Sequence, residues 1–407
     1  MLFRPQHILS ALAVGGLILA ASSASSKGGS PASGQPLFNS LDQFVLFAEE
    51  EIKLEQGVQV SSGDLGSNSK LDIQKEVIIS GDLFADRITI DKKTTINGNA
   101  SYNELDIKKD AQILGTQTKP VQLPIIQLPD VPAFQVGTQD FKFQGQDNTL
   151  PSGSYKDVIL EKDSKLILAG GTYNLNKLEL KENSTLIFNA PTTLNIQFKL
   201  KGQQKTSILP GQNLSPTDLT INYSGIAAKQ EKEDDDEEID QLLTNQEKKD
   251  LQEEEIGRPI LFGKDSLLNF KLLAPKAKVN LVEQTTFRGQ ILAMKIKVEK
   301  DSILSRELTG VKIAKQEEII TDPEGGVYPI SILLVSLTPD ATFEDALNVA
   351  QNINGRIVGS VNSINLYQIE IKTRTIEELE DIINTVRSRT DLKVDGVFRD
   401  YLLPIEI

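Results

Sequence analysis

The sequence predicts a mainly β chain, a parallel β-helix (solenoid) followed by a small ferredoxin-like βαββαβ α+β domain. Three observations predict it. Short alternating strands recur at a spacing of 17 and later 20 residues, a Gly ends each early copy, and helical signals are nearly absent from the repeat region. Such a period fits a coil that travels round a small cross-section and returns above its start. A β-sandwich is the alternative, since its strands also recur at short spacing. Stacking explains better why consecutive copies resemble one another.

Met1–Ser26 carries Arg4 and His7, an uncharged run from Ile8 to Ala21, then Ser22-Ser23-Ala24-Ser25. That run is shorter than the roughly 20 residues a helix needs to span a bilayer, and its flanks are those of an export signal. Residues 1–24 are therefore read as a signal peptide cut after Ala24, with no stable membrane span expected afterwards; an uncleaved anchor is the alternative. Residues 25–40, rich in Gly, Ser and Pro, read as a flexible spacer.

The repeats begin with Leu71–Gly81 (LDIQKEVIISG), Ile88–Gly98 (ITIDKKTTING) and Leu105–Gly115 (LDIKKDAQILG). Each has a strand, a polar turn with Lys or Asp, a second strand and a Gly, which is expected to supply positive φ at a corner. After a Pro-rich break at Lys119–Pro132, Val158–Leu168 is repeated in Leu178–Phe188 at a shift of 20. Gly153-Ser154-Tyr155 and Gly171-Thr172-Tyr173 precede these two copies. Further strands are expected at Leu194–Leu200, Leu219–Tyr223, Leu267–Leu273, Val279–Val282 and Ile291–Val298, giving a β-helix over 41–315. Solenoid ends expose unpaired strand edges that invite stacking. Phe44–Leu54 is expected to cap the near end, and Lys300–Lys315 or the C-terminal domain the far end.

Residues 227–257 interrupt the repeats with 13 acidic residues against 4 Lys, a net −9 out of the chain's −14. Such a block is expected to be a disordered insertion with a short helix near Ile239–Leu251. Its readings are a solvated loop or a site for cations or a basic partner. Asp234-Asp235-Asp236 lacks the Gly and terminal Glu of a calcium loop.

From 327 to 407 the pattern becomes mixed. Ile330–Leu337 reads as a strand, and Thr342–Ile353 as a helix with Phe343, Ala346, Leu347 and Ala350 on one face. Two strands, Gly355–Val361 and Leu366–Ile371, follow. Thr375-Ile376-Glu377-Glu378 reads as a capping box opening a second helix, and Val394–Phe398 as a last strand. This order is ferredoxin-like.

Composition restricts chemistry. There is no Cys, no Trp and one His, His7, in the expected signal. The mature chain then lacks a Ser-His-Asp triad, a Cys-His pair and a His or Cys zinc site. The acidic balance argues against a nucleic-acid partner, which needs Lys and Arg to neutralise phosphates.

The repeats resemble secreted bacterial β-helix proteins of the bactofilin-like, polymer-forming type. The resemblance rests on Ser80-Gly81-Asp82, Asn97-Gly98-Asn99, the Pro-rich connector and Phe287–Ala293 (FRGQILA). It implies a scaffold or surface role and supplies no catalytic residues. The last domain resembles the propeptide of subtilisin-type peptidases, an intramolecular chaperone and inhibitor module, through Leu334–Ala341 (LVSLTPDA), Gly355–Ser360 (GRIVGS), Leu366–Ile371 (LYQIEI) and Leu392–Tyr401 (LKVDGVFRDY). That likeness implies a protein-docking tail at Asp400, Tyr401, Leu402 and Leu403. No peptidase domain is expected after the module, which would be a departure from that family.

The expectation is thus an exported, non-enzymatic scaffold, secreted, periplasmic or at the cell surface, with no catalytic, cofactor or metal residues. Its expected partners are a subtilisin-type protease, another envelope protein, or a second copy through the solenoid ends. The alternatives are a trans-acting inhibitor or chaperone of such a protease and a β-helix polysaccharide-binding or -cleaving protein. The last would need a clustered carboxylate pair. Ice binding needs a flat ladder of repeated Thr, and Thr94-Thr95 occurs in one copy only.

Overall fold

The computed structural model describes residues 41–212, 214–226, 237–253, 255–307, 318–323, 325–361 and 364–401. The expected signal, the spacer, residues 308–317, Leu402 and Leu403 lie outside them. Among the described residues no helix is long and apolar enough to cross a membrane.

The repeats form a parallel β-solenoid with three strand-bearing sides. Every strand pair in its sheet is parallel, as in Lys165–Leu168 with Thr185–Phe188, where Leu166 lies over Leu186 and Leu168 over Phe188. Inward columns of aliphatic and aromatic side chains merge into one continuous core from Phe141 to Leu304 and back through Val45 to Ile96.

The coils are not stacked in chain order. The first leg starts at Phe44–Leu54 and climbs through Lys70–Ile73 and Leu83–Ile90 to Ala100–Ile107. The second leg starts at Phe141–Phe143 and climbs through Gly153–Leu160 to Thr286–Val298. The last strands of the second leg then pair with the first strand of the first, Leu46 with Ile291, Ile52 with Ile296 and Leu54 with Val298. Gln59–Val60 joins Ile303–Ser305 in the same way.

Phe44–Leu54 is therefore not an end cap. It sits at mid-stack with partners on both sides, and Ile303–Ser305 adjoins it instead of closing a far end. The free ends are the coil of Ala100–Thr118 and the coil of Phe141–Leu150. The junction is closed by Ser62 Oγ, which donates to the Arg306 carbonyl at 3.0 Å and accepts the Arg306 N–H at 2.9 Å. Arg306 Nε donates to the Asp42 carbonyl at 3.1 Å.

The Pro-rich segment makes this order reachable. It returns along the outside of the rod from one free end to the other. Asn103 accepts the Val121 N–H, the Asn68 amide both donates to and accepts from the Ile126 backbone, and Glu49 accepts the Leu128 N–H. Leu123 and Leu128 bury against Phe44, Phe47, Phe84 and Leu292 in a second small core outside the solenoid. About 22 residues at ~3.1 Å each reach roughly 70 Å in extended polyproline form, more than about ten inter-strand steps of ~4.8 Å require. A protease site placed at Ile125, 84% exposed, is expected to give two fragments that co-elute on gel filtration, because strand pairing rather than the connector holds the legs together. Fragments that separate would contradict the junction.

The glycines close corners for a different reason than expected. Gly63 has φ +83, but Gly81, Gly98 and Gly115 have ordinary φ. A Cβ on Gly81 would lie 2.0 Å from the Gly63 carbonyl oxygen, and one on Gly98 would lie 2.1 Å from that of Gly81. The requirement is close backbone approach between coils. Positive φ falls instead on the polar turn, at Glu76, Lys93, Asp110, Asp163, Asn183, Lys205, Asp265, Gln284 and Asp301. Asp and Asn tolerate that conformation best. The following Ser or Thr closes the turn from inside: Ser164, Ser184, Thr206, Ser266 and Thr285 are buried, and each hydroxyl donates to the carbonyl three residues back.

The C-terminal domain is ferredoxin-like as expected. Its antiparallel sheet runs Arg356–Val361, Leu366–Glu370, Ile332–Leu337, Val394–Arg399, with helices Phe343–Asn352 and Ile376–Ser388. Leu333, Val335, Leu347, Ile369, Leu379, Ile383 and Val397 fill its core. Thr375 caps the second helix by accepting the Glu378 N–H at 3.2 Å, while the Glu378 carboxylate takes the N–H of Arg374 rather than that of Thr375. A hairpin of Ile319–Thr321 and Val327–Pro329 precedes the domain.

Candidate functional site

The solenoid presents outward residues in register columns, and the sides differ sharply in chemistry. One side carries the column Lys165, Thr185, Ser207, Leu267, Thr286, Ile303, Gln59, Ile78, Thr95 and Gln112. Beside it run Ile167, Ile187 and Leu209. Leu267, Ile303 and Ile78 are 40–47% exposed. Apart from Lys165 and neighbouring Arg288, this side is an uncharged ladder of hydroxyl, amide and aliphatic groups. Among the described residues no aromatic ring belongs to it.

A second threonine ladder lies on the adjoining side, where Thr172, Thr193 and Thr220 stack in register. Beside them Asn222 donates to Asn195, and Asn195 to Asn174, both at 2.8 Å. Repeated Thr is thus present. The uneven spacing of these threonines, 21 and then 27 positions, hides the stack from a reading by period.

The third side carries charge. Lys177 lies beside Lys199, and Lys278 beside Lys295. The acidic insertion docks here. Residues 227–236 lie outside the described residues; the stretch that follows carries the helix Asn245–Gln252, which overlaps the expected Ile239–Leu251 window. Ile239 and Leu243 are buried, Glu238 pairs with Lys201 at 2.7 Å, and Glu247 pairs with Lys295 at 2.7 Å. Charge complementarity with the rod supplies what the segment lacks in apolar residues. Burial works against the Glu247 carboxylate, but Lys295 and the Thr244 cap outweigh it and pull it to about 2. Burial also holds the Lys278 ammonium below its usual range.

The ferredoxin-like domain latches onto the glycine corner. Arg356 reaches Asp64 and Asp82, each at 3.1 Å, and also pairs with Glu370 of its own sheet. Lys372 Nζ donates to the Asn97 carbonyl at 2.7 Å, and Arg288 pairs with Glu344 while lying over the Phe343 ring at 5.0 Å. Burial pushes the Asp64 carboxyl up, to about 7; Arg356 opposes the shift, and Asp82 and Glu370 add to it. Asp64 and Asp82 are the kind of carboxylate pair a glycan-cleaving reading would need. They face an arginine beneath a docked domain, not a groove.

Of the expected docking tail, Asp400 is held by Gln368 at 2.6 Å, and burial raises its carboxyl. Tyr401 is half exposed and packs edge-on against Tyr328 at 5.3 Å. These contacts hold Asp400 and Tyr401 against the domain itself. A groove of about 310 Å³ lies between rod and connector, lined by Ser67, Asn68, Asp86, Asn103, Leu123 and Ile125. Its one carboxylate, Asp86, accepts from Asn103 at 2.7 Å. Among the described residues no group of three or more acidic side chains is arranged to hold a metal ion.

No protein family and no curated protein matches the sequence. Among solved structures, the chain is similar to an ice-binding protein from the Antarctic ascomycete Antarctomyces psychrotrophicus, at 14% identity and a TM-score of 0.27 over 65% of this chain and 94% of that one. It is also similar to the glycosylated ice-binding protein LeIBP from an Arctic yeast, at 10% identity and a TM-score of 0.28 over 68% of this chain and 95% of that one.

Proposed function

We propose that this chain is a non-enzymatic exported scaffold of the cell envelope or surface, a rod whose working part is its uncharged side. The observation that carries the reading is the sorting of charge. Apart from Lys165 and Arg288, two register columns on one side hold hydroxyl, amide and aliphatic groups, while ion pairs concentrate on another. A regular, uncharged side with large aliphatics left in water is a contact surface. Its repeat of ~4.8 Å along the rod suits an extended, ordered partner such as a crystalline solid. Adsorption of the full chain to growing ice and to microcrystalline cellulose tests this. Thr286→Lys, Ile303→Lys and Ile78→Lys together are expected to remove at least about nine-tenths of the bound fraction, since each lysine must be desolvated at contact. A wild-type chain that adsorbs to neither solid would sink the reading.

The C-terminal domain is the docking module of this proposal, and its partner in cis is the rod. Arg356 and Glu370 lie on neighbouring strands of its sheet, and the bonds from Arg356 to Asp64 and Asp82 commit that part of the sheet. A role as trans-acting inhibitor of a subtilisin-type protease would call on the same small domain, with Asp400 and Tyr401 leading the tail. The latch to the rod favours the cis role.

A further inference from the structure

The lysine side stores a conflict. Lys278 and Lys295 are direct neighbours across a strand pair, as are Lys177 and Lys199, and like charges at that position repel. The rod relieves part of this with its own carboxylates: Glu179 pairs with Lys199 at 2.7 Å, Glu50 with Lys295 at 3.2 Å, and Glu299 with Lys297 at 2.8 Å. The insertion adds further partners. Glu238 meets Lys201, Glu247 meets Lys295, and the Leu242 carbonyl accepts from Lys278 at 2.7 Å.

The base of the insertion is closed independently of that docking. The Arg258 N–H donates to the Gly225 carbonyl at 2.8 Å, the Ile226 N–H to Gln197 at 3.0 Å, and the Gly257 N–H to Lys276 at 2.7 Å. The flanking strands Leu219–Tyr223 and Ile260–Phe262 keep their places in the stack through Thr192–Gly202 and Leu267–Leu281. The insertion can therefore lift away without unravelling a coil. What it would uncover is a cluster of ammonium groups, Lys278 and Lys295 side by side in one column and Lys201 in the adjoining column two strands away, suited to a flexible chain of repeating negative charges.

We propose that Lys201, Lys278 and Lys295 form a binding surface for a linear polyphosphate-type anion, and that the described stretch of the insertion, from Glu238 to Gln252, occupies this surface in cis as a competing strap. A flexible anionic chain gains from releasing its condensed counterions, so its binding is polymer-dependent and falls with salt.

The test is titration of inorganic polyphosphate into the full chain and into a chain with residues 229–255 excised. The excised chain is expected to bind at least about tenfold tighter at moderate salt. Adding Lys201→Ala, Lys278→Ala and Lys295→Ala to it is expected to abolish the gain. Glu238→Gln with Glu247→Gln in the full chain loosens the strap without excision, and this variant decides the matter if excision prevents folding. An excised or loosened chain that binds no tighter than wild type overturns the proposal. So does equal binding after the lysines are removed, or equal competition by monomeric phosphate at the same phosphorus concentration.

Discussion

Gly98→Ala is expected to destabilise the first leg of the rod by at least ~3 kcal/mol, and to lower its melting temperature by several degrees. The added methyl would sit 2.1 Å from the Gly81 carbonyl oxygen and 2.5 Å from its carbon. Both are backbone atoms held in the stack, so no side chain can swing aside to make room. Relief requires the two coils to part locally, and that breaks the bonds from the Asn97 N–H to the Ile79 carbonyl and from the Asn99 N–H to the Asp82 carboxylate and disturbs the inward Ile79–Ile96 pair. Gly145→Ala is the matched control. Gly145 has φ +77 but no atom within 4 Å of the added methyl, so its cost is the left-handed backbone alone, roughly 1–2 kcal/mol. Thermal melts of the two variants measure the difference. If Gly98→Ala melts no lower than Gly145→Ala, close approach is not what the glycine column serves.

The same column shows how much of the fold can be read from residues. Gly81, Gly98 and Gly115 recur at 17 because each coil has the same perimeter, and that regularity makes the solenoid visible. Leu219–Tyr223 coincides with a strand, and the ferredoxin-like order follows from switching periodicity. The order of the coils is different. A parallel coil presents the same edge to any neighbour, so nothing local in Phe44–Leu54 says that its partner is Thr286–Val298. The signal that existed was the connector, since a Pro-rich run able to reach the far end is what a split solenoid needs.

The candidate surfaces were hidden for a related reason. Lys199 lies 22 positions after Lys177 and Lys295 lies 17 after Lys278, so unequal coil lengths disguise columns that coincide in space. The insertion announced its charge but not its partner, because the matching lysines are spread over the whole second leg. Of the expected tail, Asp400 and Tyr401 are described, and their contacts run back into their own domain. The Arg356 latch has no sequence signature at all, since its two aspartates lie in the first leg and its glutamate in the module.

Arg356→Met is expected to release the C-terminal domain from the rod while leaving both parts folded. The guanidinium sits among Asp64, Asp82 and Glu370. Those three carboxylates hold it well above the usual arginine range despite the burial that opposes its charge. Removing it leaves three acidic groups converging without a cation, and breaking such a buried cluster from one side costs about 3–5 kcal/mol. That exceeds what Lys372 and Arg288, anchored to a carbonyl and to the exposed Glu344, would supply at ~1 kcal/mol each. Protease susceptibility of the hairpin of Ile319–Thr321 and Val327–Pro329 should rise, and the distance between spin labels on rod and module should broaden. The cluster also makes the latch pH-dependent. Its extra proton is carried chiefly by Asp64, raised from an ordinary carboxylate value to about 7 when docked, and the protons belong to the coupled set rather than to one residue. The docked state then binds more protons than the released one. Docking is strongest near and below the ordinary carboxylate range and weakens as pH rises toward about 7, by at most about tenfold per unit for one proton. Asp64→Asn should flatten that dependence while keeping the bond to the Asp82 N–H through its side-chain oxygen. A wild-type latch whose opening is the same at pH 5 and pH 8, or an Arg356→Met chain that stays docked, would show that the module is held by something other than this cluster.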